Sequence, residues 1–423
     1  MIKAIIVLLI GLLVITTLGS AATVSPMIPL YNCQTVNSPG NYILQNNITV
    51  GGPCFILNSN NINLDLNGHT ISGNGNSEAI LSNANRVNIR NGIIVNFSTG
   101  ISLNGASFNI VENNIIERSD NEGMYVFLGS NNSIKNNKVI DGEYHGLSLE
   151  NTLFNSVMGN VIKNSSDYDF HIAVNSSLYC NNFLLNNRGS NGHPIILINN
   201  ATIISNSKLS ELVLCNADNS KINGVSIDNS QFNNNGVLLI RTENAILKDI
   251  TVTNSLRGIS MRYGVNITIL NSVFNNNRRE GIRIWEGGAN SIIRSIINGN
   301  NLAFELNNAR NNTIHSNYVI GNRGGIDIED DDDLGNNLFY NNFFNNTWNI
   351  MDIDGDGFNN WNTTLTPGIN IVGGPFIGGN FWANYSGTGF SQTCADLNND
   401  RICDQPYVLY NLVLNNTDYL ALR

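Results

Sequence analysis

Short apolar segments recur at a nearly constant interval along most of the chain. In each repeat, two apolar segments separated by Asn or Ser precede a turn and a longer apolar segment, as in SIKNNKVIDGEYHGLSLE from Ser133. Such regular spacing is typical of a solenoid. The end of one apolar segment aligns, mostly at steps of 22 or 23 residues, at Ile48, Ile71, Ile94, Ile116, Val139, Ile162, Leu184, Leu209, Ile227, Val252, Phe274, Ile297, Val319 and Phe344.

The repeat predicts β-strands rather than helices. Its apolar and polar positions alternate over short segments bounded by Asn and Gly, which is typical of strands joined by turns. A period of about 22 residues favours a parallel β-helix over a leucine-rich horseshoe with helices. About 14 coils at the usual strand spacing of about 4.8 Å would form a rod of roughly 65 Å around columns of Ile, Val, Leu and Phe. Steps of 25, 18 and 25 residues between Leu184 and Val252 predict irregular coils there.

Asparagine dominates the composition. The chain of 423 residues contains 81 Asn, and only 13% of its residues are charged. Asn tolerates the left-handed backbone conformation of turns, and its amide can bond to the Asn of the next coil, so most Asn are predicted to be structural. The net charge of −10, without a basic block, argues against nucleic acid or an anionic membrane surface as the partner.

The first 22 residues are interpreted as a secretory signal peptide. One Lys precedes an apolar run at residues 4–18, and small residues follow up to the expected cleavage site at Ala21 or Ala22. An uncleaved anchor is the alternative, but the run is shorter than the span of about 20 residues that a bilayer requires. No later segment is apolar enough to be a transmembrane span. The mature chain is therefore expected to be secreted or at the cell surface, where sequons such as Asn47 and Asn384 could carry glycans.

Six cysteines fall into three pairs along the chain. An exported protein can keep disulfides, and pairing in sequence order is the simplest connectivity. This order joins Cys33 with Cys54, Cys180 with Cys215, and Cys394 with Cys403. The first pair would close an N-terminal cap, and the second would be a local staple in the irregular coils. The absence of a Cys-x-x-Cys motif from the sequence argues against zinc or thioredoxin-like redox chemistry.

The repeat stops near Asp352, and the remaining segment carries distinct motifs. They are WNTTLTPGINIVGGP from Trp361, GGNFWANYSG from Gly378, DLNNDRICDQPY from Asp396, and the Asp-Tyr pair at Asp418. These motifs closely resemble the tail of NosD-like right-handed β-helix proteins of archaeal and bacterial cell surfaces and periplasms. The stretch NINLDLNGHTISG near the N-terminus also resembles the first coil of these proteins.

The resemblance covers nearly the whole mature chain, with departures at Phe381, Asn398 and Ala421. It implies an all-β protein with a right-handed parallel β-helix over residues 31–350, a C-terminal cap over residues 351–423, and repeats of a carbohydrate-binding or sugar-hydrolysis type. The founding members of the family assist copper-site maturation of nitrous oxide reductase. That role is not expected here, because copper sites need clustered His, Cys or Met and the five His are scattered along the sequence.

Two acidic stretches are candidate calcium loops. Asp396, Asn398, Asp400 and Asp404 occupy positions 1, 3, 5 and 9 of one loop, and Asp352, Asp354 and Asp356 form a second, partial loop. Alternating oxygen ligands at this spacing suit Ca²⁺, although the Gly and Glu of an EF-hand are missing. An acidic turn without metal is the alternative for each stretch. Structural calcium is thus the one cofactor considered.

Outward-facing residues of the longest segments form two candidate faces. A small residue, usually Gly, opens each longest segment, and the residue two places later should point outward if the strand pleat holds. This stacks Ser260, Arg283, Glu305 and Asp327 on successive coils, and Arg262, Trp285, Asn307 and Glu329 beside them. A second column holds Thr99, Glu122, His145 and Tyr168.

The first face suits carbohydrate. An exposed Trp285 among guanidiniums and carboxylates could bind a sugar ring with its hydroxyls or acidic groups. Glu305 and Asp327, about 5 Å apart on adjacent coils, would match the carboxylate separation of retaining glycosidases. The alternative is a charge ladder that keeps the rod soluble. In the second column, HGLSL at His145 weakly resembles a polygalacturonase segment, whose paired aspartates and Arg-x-Lys have no counterpart in the chain.

The leading hypothesis is a non-catalytic exported protein that contacts carbohydrate or cell-surface proteins along one face. The first alternative is a polysaccharide lyase or glycoside hydrolase that uses Glu305 with Asp327, or Glu122 with His145. A copper-related accessory protein is the third hypothesis. No organic cofactor is expected.

Overall fold

The protein is a right-handed β-solenoid of about 14 turns, which confirms the predicted fold class. The computed structural model describes residues 26–230, 233–329, 335–354, 358–409 and 416–423. The proposed signal peptide and Asp356 lie outside these ranges. Helix within them is limited to a 3-10 turn at Ser177–Cys180 and an α-turn at Phe390–Thr393, so none of it could span a bilayer.

Three sheets enclose the first half of the solenoid. One contains the strands Met27–Leu30, Gly40–Leu44, Ile62–Asp65, Asn88–Arg90, Ile110–Glu112, Ser133–Lys135, Ser156–Met158 and Phe183–Leu185. A second contains Gln34–Val36, Phe55–Leu57 and Glu78–Ser82, followed by the four longest strands of this half, Thr99–Asn104, Glu122–Phe127, His145–Glu150 and Tyr168–Ala173. The third begins with Ile48–Thr49, Thr70–Ser72, Ile93–Val95, Ile115–Glu117, Lys138–Ile140, Val161–Lys163 and Asn187–Arg188.

The third sheet continues into the second half, where it supplies the longest strands. These are Pro194–Ile198, Glu211–Cys215, Asn235–Ile240, Arg257–Arg262, Glu280–Trp285, Leu302–Asn307, Gly324–Glu329 and Trp348–Asp354. Another sheet contains Ile203–Ser205, Lys221–Asn223, Ile246–Lys248, Thr268–Leu270, Ser291–Ile293, Thr313–His315 and Leu338–Tyr340. The last contains Lys208–Leu209, Ser226–Asp228, Thr251–Thr253, Val273–Asn275, Ile296–Asn298, Tyr318–Ile320, Phe343–Asn345 and Phe381–Ala383.

The predicted inward columns are present, but the aligned series does not follow one sheet. Its members from Ile48 to Ile162 lie in the third sheet, whereas those from Leu209 to Phe344 lie in the last sheet. Ile71, Ile94 and Ile116 pair in register on successive coils and are almost completely buried. Leu184, however, pairs with Val157 in a different sheet from the one that holds these residues. The alignment at Leu184 was therefore wrong, because the coil before it contains the extra turn Ser177–Cys180.

Asparagine serves the two predicted structural roles. It is the commonest non-Gly residue at positive φ, as at Asn136 (φ 55°) and Asn276 (φ 54°). Other Asn side chains are buried and form ladders between coils, such as Asn132 Nδ2 donating to Asn155 Oδ1 at 3.0 Å. Each rung also satisfies a backbone group, since Asn132 Nδ2 bonds to the carbonyl of Ala106 at 2.9 Å.

The chain reverses strand direction halfway along the third sheet. Asn187–Arg188 runs parallel to the strand before it, but Pro194–Ile198 pairs with it in the antiparallel sense. When strands reverse and the coil keeps its handedness, the core must move to the opposite face of the shared sheet. The strand Glu211–Cys215 accordingly buries both faces, with Leu212 and Leu214 in the second core and Val213 and Cys215 in the first.

Three disulfides join the cysteines in the predicted order. The pair Cys180–Cys215 connects the last coil of the first half to the third sheet beyond the reversal, so it links the two halves. At the C-terminal end, Phe381–Ala383 pairs with Phe343–Asn345 and continues the last sheet. The short hairpins Thr366–Pro367 with Phe376–Ile377, and Tyr407–Val408 with Thr417–Asp418, complete this end of the described chain.

Candidate functional site

The two halves meet at a corner between their longest strands, which we call the crease. It lies between the strand Tyr168–Ala173 of the first half and the outward faces of Asn235–Ile240, Arg257–Arg262 and Glu280–Trp285 of the second. Arg257 Nη1 donates to the Tyr168 hydroxyl at 2.5 Å across this corner. The two candidate faces, which were predicted as separate columns, therefore contact each other at the crease.

Further arginines of the second half hold the rim of the crease to the first. Arg278 Nη2 donates to the carbonyl of Ser166 at 3.1 Å, and Arg241 Nη2 donates to the carbonyl of Asn175 at 2.9 Å. Because a guanidinium presents several donors in one plane, each arginine can bridge the halves and still offer donors to a ligand.

The outward columns of the second half stack as the strand pleat predicts. Ser260 pairs with Arg283, Arg283 with Glu305, and Glu305 with Asp327, on consecutive strands. The neighbouring column runs from Arg262 through Trp285, Asn307 and Glu329. Asp352 and Asp354 extend the two columns by one more strand. This face is thus basic and aromatic at the crease and acidic towards the C-terminal end.

Ion pairs neutralise part of this face. Arg257 Nε donates to Glu280 at 2.6 Å, and both side chains are largely buried. Arg283 Nε lies 2.8 Å from Glu305 Oε1 at ion-pair distance, although its N–H does not point at the carboxylate. Burial, reinforced by the nearby Glu280, raises the pKa of Glu305 to about 7.

Asp327 is the second carboxyl with a perturbed pKa on this face. Burial and the repulsion of Glu329 and Asp352 raise the pKa of Asp327 to about 6. Asp327 and Glu305 are therefore a pair of carboxyls on neighbouring strands, and each keeps its proton to a higher pH than an ordinary carboxyl does.

Trp285 is half-buried rather than fully exposed. The guanidinium carbons of Arg262 and Arg283 lie 4.9 and 5.1 Å from its ring centroid, respectively. The Nε of Arg262 is buried and has no hydrogen-bond acceptor in the described structure. Burial lowers the pKa of Arg262, and the repulsion of Arg283 acts in the same direction.

A cavity of about 260 Å³ opens beside Trp285 at the crease. Its second-half wall consists of Trp285, Arg262, Tyr263 and Ile240, and its first-half wall includes Ala173 and Asn175. Arg241 packs over the exposed Tyr263 ring at 4.3 Å. The cavity lining therefore combines two aromatic rings, an arginine and asparagine amides, and both halves contribute to it.

The first-half face is more enclosed than the sequence suggested. His145 is only 3% exposed and lies between the rings of Tyr144, at 3.8 Å, and His171, at 4.2 Å. Its Nδ1 is 3.9 Å from Glu122 and its Nε2 is 3.6 Å from Asp167, both too far for hydrogen bonds. Burial raises the pKa of Glu122. Glu122 and His145 are thus brought together as predicted, but beneath Tyr144.

A buried carboxyl pair lies where the halves join. Asp169 accepts hydrogen bonds from the backbone and hydroxyl of Ser190, at 2.7 and 2.9 Å, and from the amides of Asn233 and Asn234. Glu211 beside it is fully buried, and desolvation together with the charge of Asp169 raises its pKa well above the usual range. This pair belongs to the joint between the halves and lies outside the cavity.

The C-terminal acidic loop folds on its own side chains. The carboxylate of Asp396 accepts from the backbone N–H groups of Asp400 and Arg401, both at 3.1 Å, and Asp404 accepts from Leu397 at 2.9 Å. Asn398 Oδ1 also accepts from the Asp400 backbone at 3.1 Å. Within the described ranges, no three His, Cys, Asp or Glu side chains are grouped as metal ligands. Asp352 and Asp354 lie on the strand Trp348–Asp354, so the second acidic stretch is not a loop as predicted. Calcium binding by either stretch stays a prediction.

Arg257, Tyr263 and Arg241 are the crease residues that sequence reasoning missed. Arg257 precedes a Gly of the predicted series by one residue, and its strand was identified correctly. Its partner Tyr168 lies 89 residues away on the other half, however, so only the reversal of the chain brings the two together.

A protein-family model described as NosD, periplasmic copper-binding protein, matches residues 18–193 and 186–387. No curated protein matches the chain.

Solved structures with a similar fold include three carbohydrate-active proteins. The catalytic domain of an α-1,3-glucanase shares 16% identity over 69% of this chain and 64% of its own, with a TM-score of 0.36. The A-module of a mannuronan C-5 epimerase from Azotobacter vinelandii shares 12% over 78% and 81%, with a TM-score of 0.29. An alginate lyase from a Paenibacillus species shares 12% over 72% and 97%, with a TM-score of 0.29. The match spans less than two thirds of the glucanase chain, and likeness at this level bears on the fold alone.

Proposed function

The chain belongs to the NosD family of periplasmic β-helix proteins, and on that premise we propose that it is an exported protein that binds carbohydrate in the crease. The observation that carries the proposal is the cavity of about 260 Å³ lined by Trp285, Tyr263 and Arg262. Its size is close to the lower limit of about 300 Å³ for small-molecule sites, which suits one sugar unit of a longer chain.

The chemistry of the lining fits a sugar. Aromatic rings such as Trp285 and Tyr263 offer an apolar surface with a polar edge, which matches the mixed character of a sugar ring. The donors of Arg262 and the amides of Asn151 and Asn175 can bond to hydroxyl groups around it. The walls come from both halves, so the site depends on the assembled fold.

Affinity electrophoresis on neutral and acidic polysaccharides tests this proposal. A polymer that retards the wild-type protein should bind Trp285→Ala at least tenfold more weakly, because loss of a central aromatic anchor typically costs about 2 kcal/mol or more. Trp348→Ala is the matched control, since Trp348 lies on the same sheet with Arg323 at 5.6 Å from its ring but outside the crease. The proposal would be contradicted if both variants bound the polymer equally weakly. It would also be contradicted if neither neutral nor acidic polysaccharides retarded the wild-type protein.

Glycoside hydrolysis is a second candidate, favoured by the pKa values of Glu305 and Asp327. A general acid needs a raised pKa, and these two carboxyls have pKa values of about 7 and about 6 on adjacent strands. Strands are about 4.8 Å apart, near the separation of about 5 Å that retaining enzymes use. Glu122 and His145 fit a lyase less well, because Tyr144 covers the histidine.

Release of reducing ends from the polymers that bind would test hydrolysis. Product formation that is lost in Glu305→Gln and in Asp327→Asn would establish this pair as catalytic. Product with an ultraviolet signal from an unsaturated sugar would indicate a lyase instead. Binding without either product leaves the non-catalytic role as the function.

The described side chains do not fit the copper site that the family description names. His145 and His171 stack with parallel rings 4.2 Å apart, so their nitrogens do not converge on one point. Each nitrogen of His145 faces a carboxylate, and all six cysteines are in disulfides. Copper prefers converging His, Cys or Met ligands, so no copper chemistry is assigned to these residues.

A further inference from the structure

The arginines of the crease differ in one respect. Arg257 is paired with Glu280, and Arg283 lies at ion-pair distance from Glu305. Arg278 approaches Asp167 at 4.0 Å. In the described part of the chain, the cavity-lining Arg262 has neither an ion pair nor an acceptor for its buried Nε. The buried Nε atoms of Arg241 and Arg283 also have no acceptor, but Arg241 donates through Nη2 to a backbone carbonyl and Arg283 lies beside a carboxylate.

An uncompensated guanidinium at a half-buried position is unfavourable for folding. Burial of a charge is costly unless the charge is paired and hydrogen-bonded, and two further arginines nearby add repulsion. The contact with the Trp285 ring offsets only part of this cost, because a cation–π contact accepts none of the guanidinium N–H donors. The cavity beside Arg262 has room for an anion from outside the chain, which would supply the missing partner.

From these contacts we infer that the crease selects an acidic sugar unit, with the sugar carboxylate bound to Arg262. The inference rests on the proposed carbohydrate-binding function and names its ligand class. A planar carboxylate matches the two parallel donors of a guanidinium, and the ring that carries it would lie against Tyr263 and the edge of Trp285. A free inorganic anion would leave this aromatic surface unused.

Because the protein is acidic overall, binding of an acidic sugar has to come from the local positive charge of the crease. With a net charge of −10, the chain repels a polyanion at long range. Retention of an acidic polymer therefore requires a specific basic site, and binding should weaken as salt screens the contact within about 10 Å at 0.1 M ionic strength.

Three matched pairs of polymers test the inference. The probes are polygalacturonate, alginate and hyaluronate, each compared by calorimetric titration with the same polymer after its carboxyl groups are reduced to alcohols. At least one acidic polymer should bind the wild type at least tenfold more tightly than its reduced form. Arg262→Gln should abolish this difference, and Arg262→Lys should restore only part of it, because an ammonium lacks the planar fork.

Arg323→Gln is the control, because Arg323 packs on Trp348 in the same way but far along the sheet. It should leave the preference unchanged. Arg262→Gln should also keep or raise the thermal midpoint, since it removes an unpaired charge; a clear drop would show that Arg262 has a structural partner instead and would overturn the inference.

The remaining outcomes separate the inference from the proposed function. Equal binding of an acidic polymer and its reduced form overturns the inference and leaves carbohydrate binding intact. If dextran sulfate is the only polyanion that binds, and its binding depends on Arg262, the site recognises sulfate esters. This result would overturn the inference that the ligand is a sugar carboxylate. Failure of all acidic polymers overturns the inference, and the neutral polymers then decide whether carbohydrate binding survives.

Discussion

Single asparagines perform two different tasks in this protein, at left-handed turns and in buried ladders. Those in the left-handed region form turns, whereas those in the ladders replace backbone hydrogen bonds where the chain changes direction inside the coil. An exposed turn can accept another residue at modest cost, but a ladder position needs a polar side chain because water cannot reach it. Ser272 and Ser295 fill such positions in one column.

Replacement of Asn137 by Ala tests the ladder. Asn137 accepts from the backbone of Asn114 at 3.0 Å and donates to the carbonyl of Val111 at 2.8 Å. The variant leaves both buried groups without this partner, at about 1–3 kcal/mol each. Guanidinium unfolding should show a loss of that order, while Asn104→Ala, at an exposed strand end, should change stability by less than about 0.5 kcal/mol. Equal effects would contradict the ladder account.

Raised carboxyl pKa values predict the pH dependence of stability. The pKa is about 7 for Glu305 and about 7 for Asp418, against about 4 in an unfolded chain. The folded state therefore binds more protons than the unfolded state up to about pH 7, so the free energy of unfolding falls as pH rises through this range. Burial lowers the pKa of His171, which acts in the opposite sense below about pH 6.5.

Chemical denaturation at pH 6.5 and pH 8 should thus give a lower midpoint at pH 8. Glu305→Gln should reduce the difference between the two midpoints, because an amide does not titrate. A midpoint that rises between these pH values would contradict the assigned burial of Glu305 and Asp418.

At the scale of strands, the sequence was informative because each position recurs on every coil. The inward columns, the outward columns and the small residue that opens each long strand could all be read from spacing. Gly123 shows why that residue is small, since a Cβ there would lie 2.6 Å from the carbonyl oxygen of Gly146 on the next coil. The reversal at Asn187–Arg188 could not be read, because an irregular step is compatible with a loop in either direction.

The disulfide Cys180–Cys215 should stabilise the joint between the halves. It closes a loop of 35 residues in sequence, against 9 for Cys394–Cys403. Chain-entropy estimates give about 4 kcal/mol for the first and about 3 kcal/mol for the second. Replacement of both cysteines by Ser should therefore lower the unfolding midpoint more for the first pair. The opposite order would indicate that packing alone holds the joint.

At the scale of the whole molecule, the site arises from the way two coiled halves meet. Sequence reasoning found Trp285, Arg262 and His145 on outward faces, but it placed them on one straight rod with separate columns. Contacts such as Arg257 with Tyr168 follow from the reversal and from the shared sheet, neither of which a local pattern encodes. The proposed ligand preference likewise depends on the contacts of Arg262, and these are visible only in three dimensions.

Carbohydrate binding in the crease is tested most sharply by filling the cavity from the wall opposite Trp285. Ala173 belongs to the first half and lines the cavity, so Ala173→Trp should block it without a change to any aromatic or charged side chain of the second half. We expect calorimetric titration with the polysaccharide that binds the wild type to show at least tenfold weaker binding, at an unchanged thermal midpoint. Binding equal to that of the wild type would contradict the claim that the crease is the carbohydrate site.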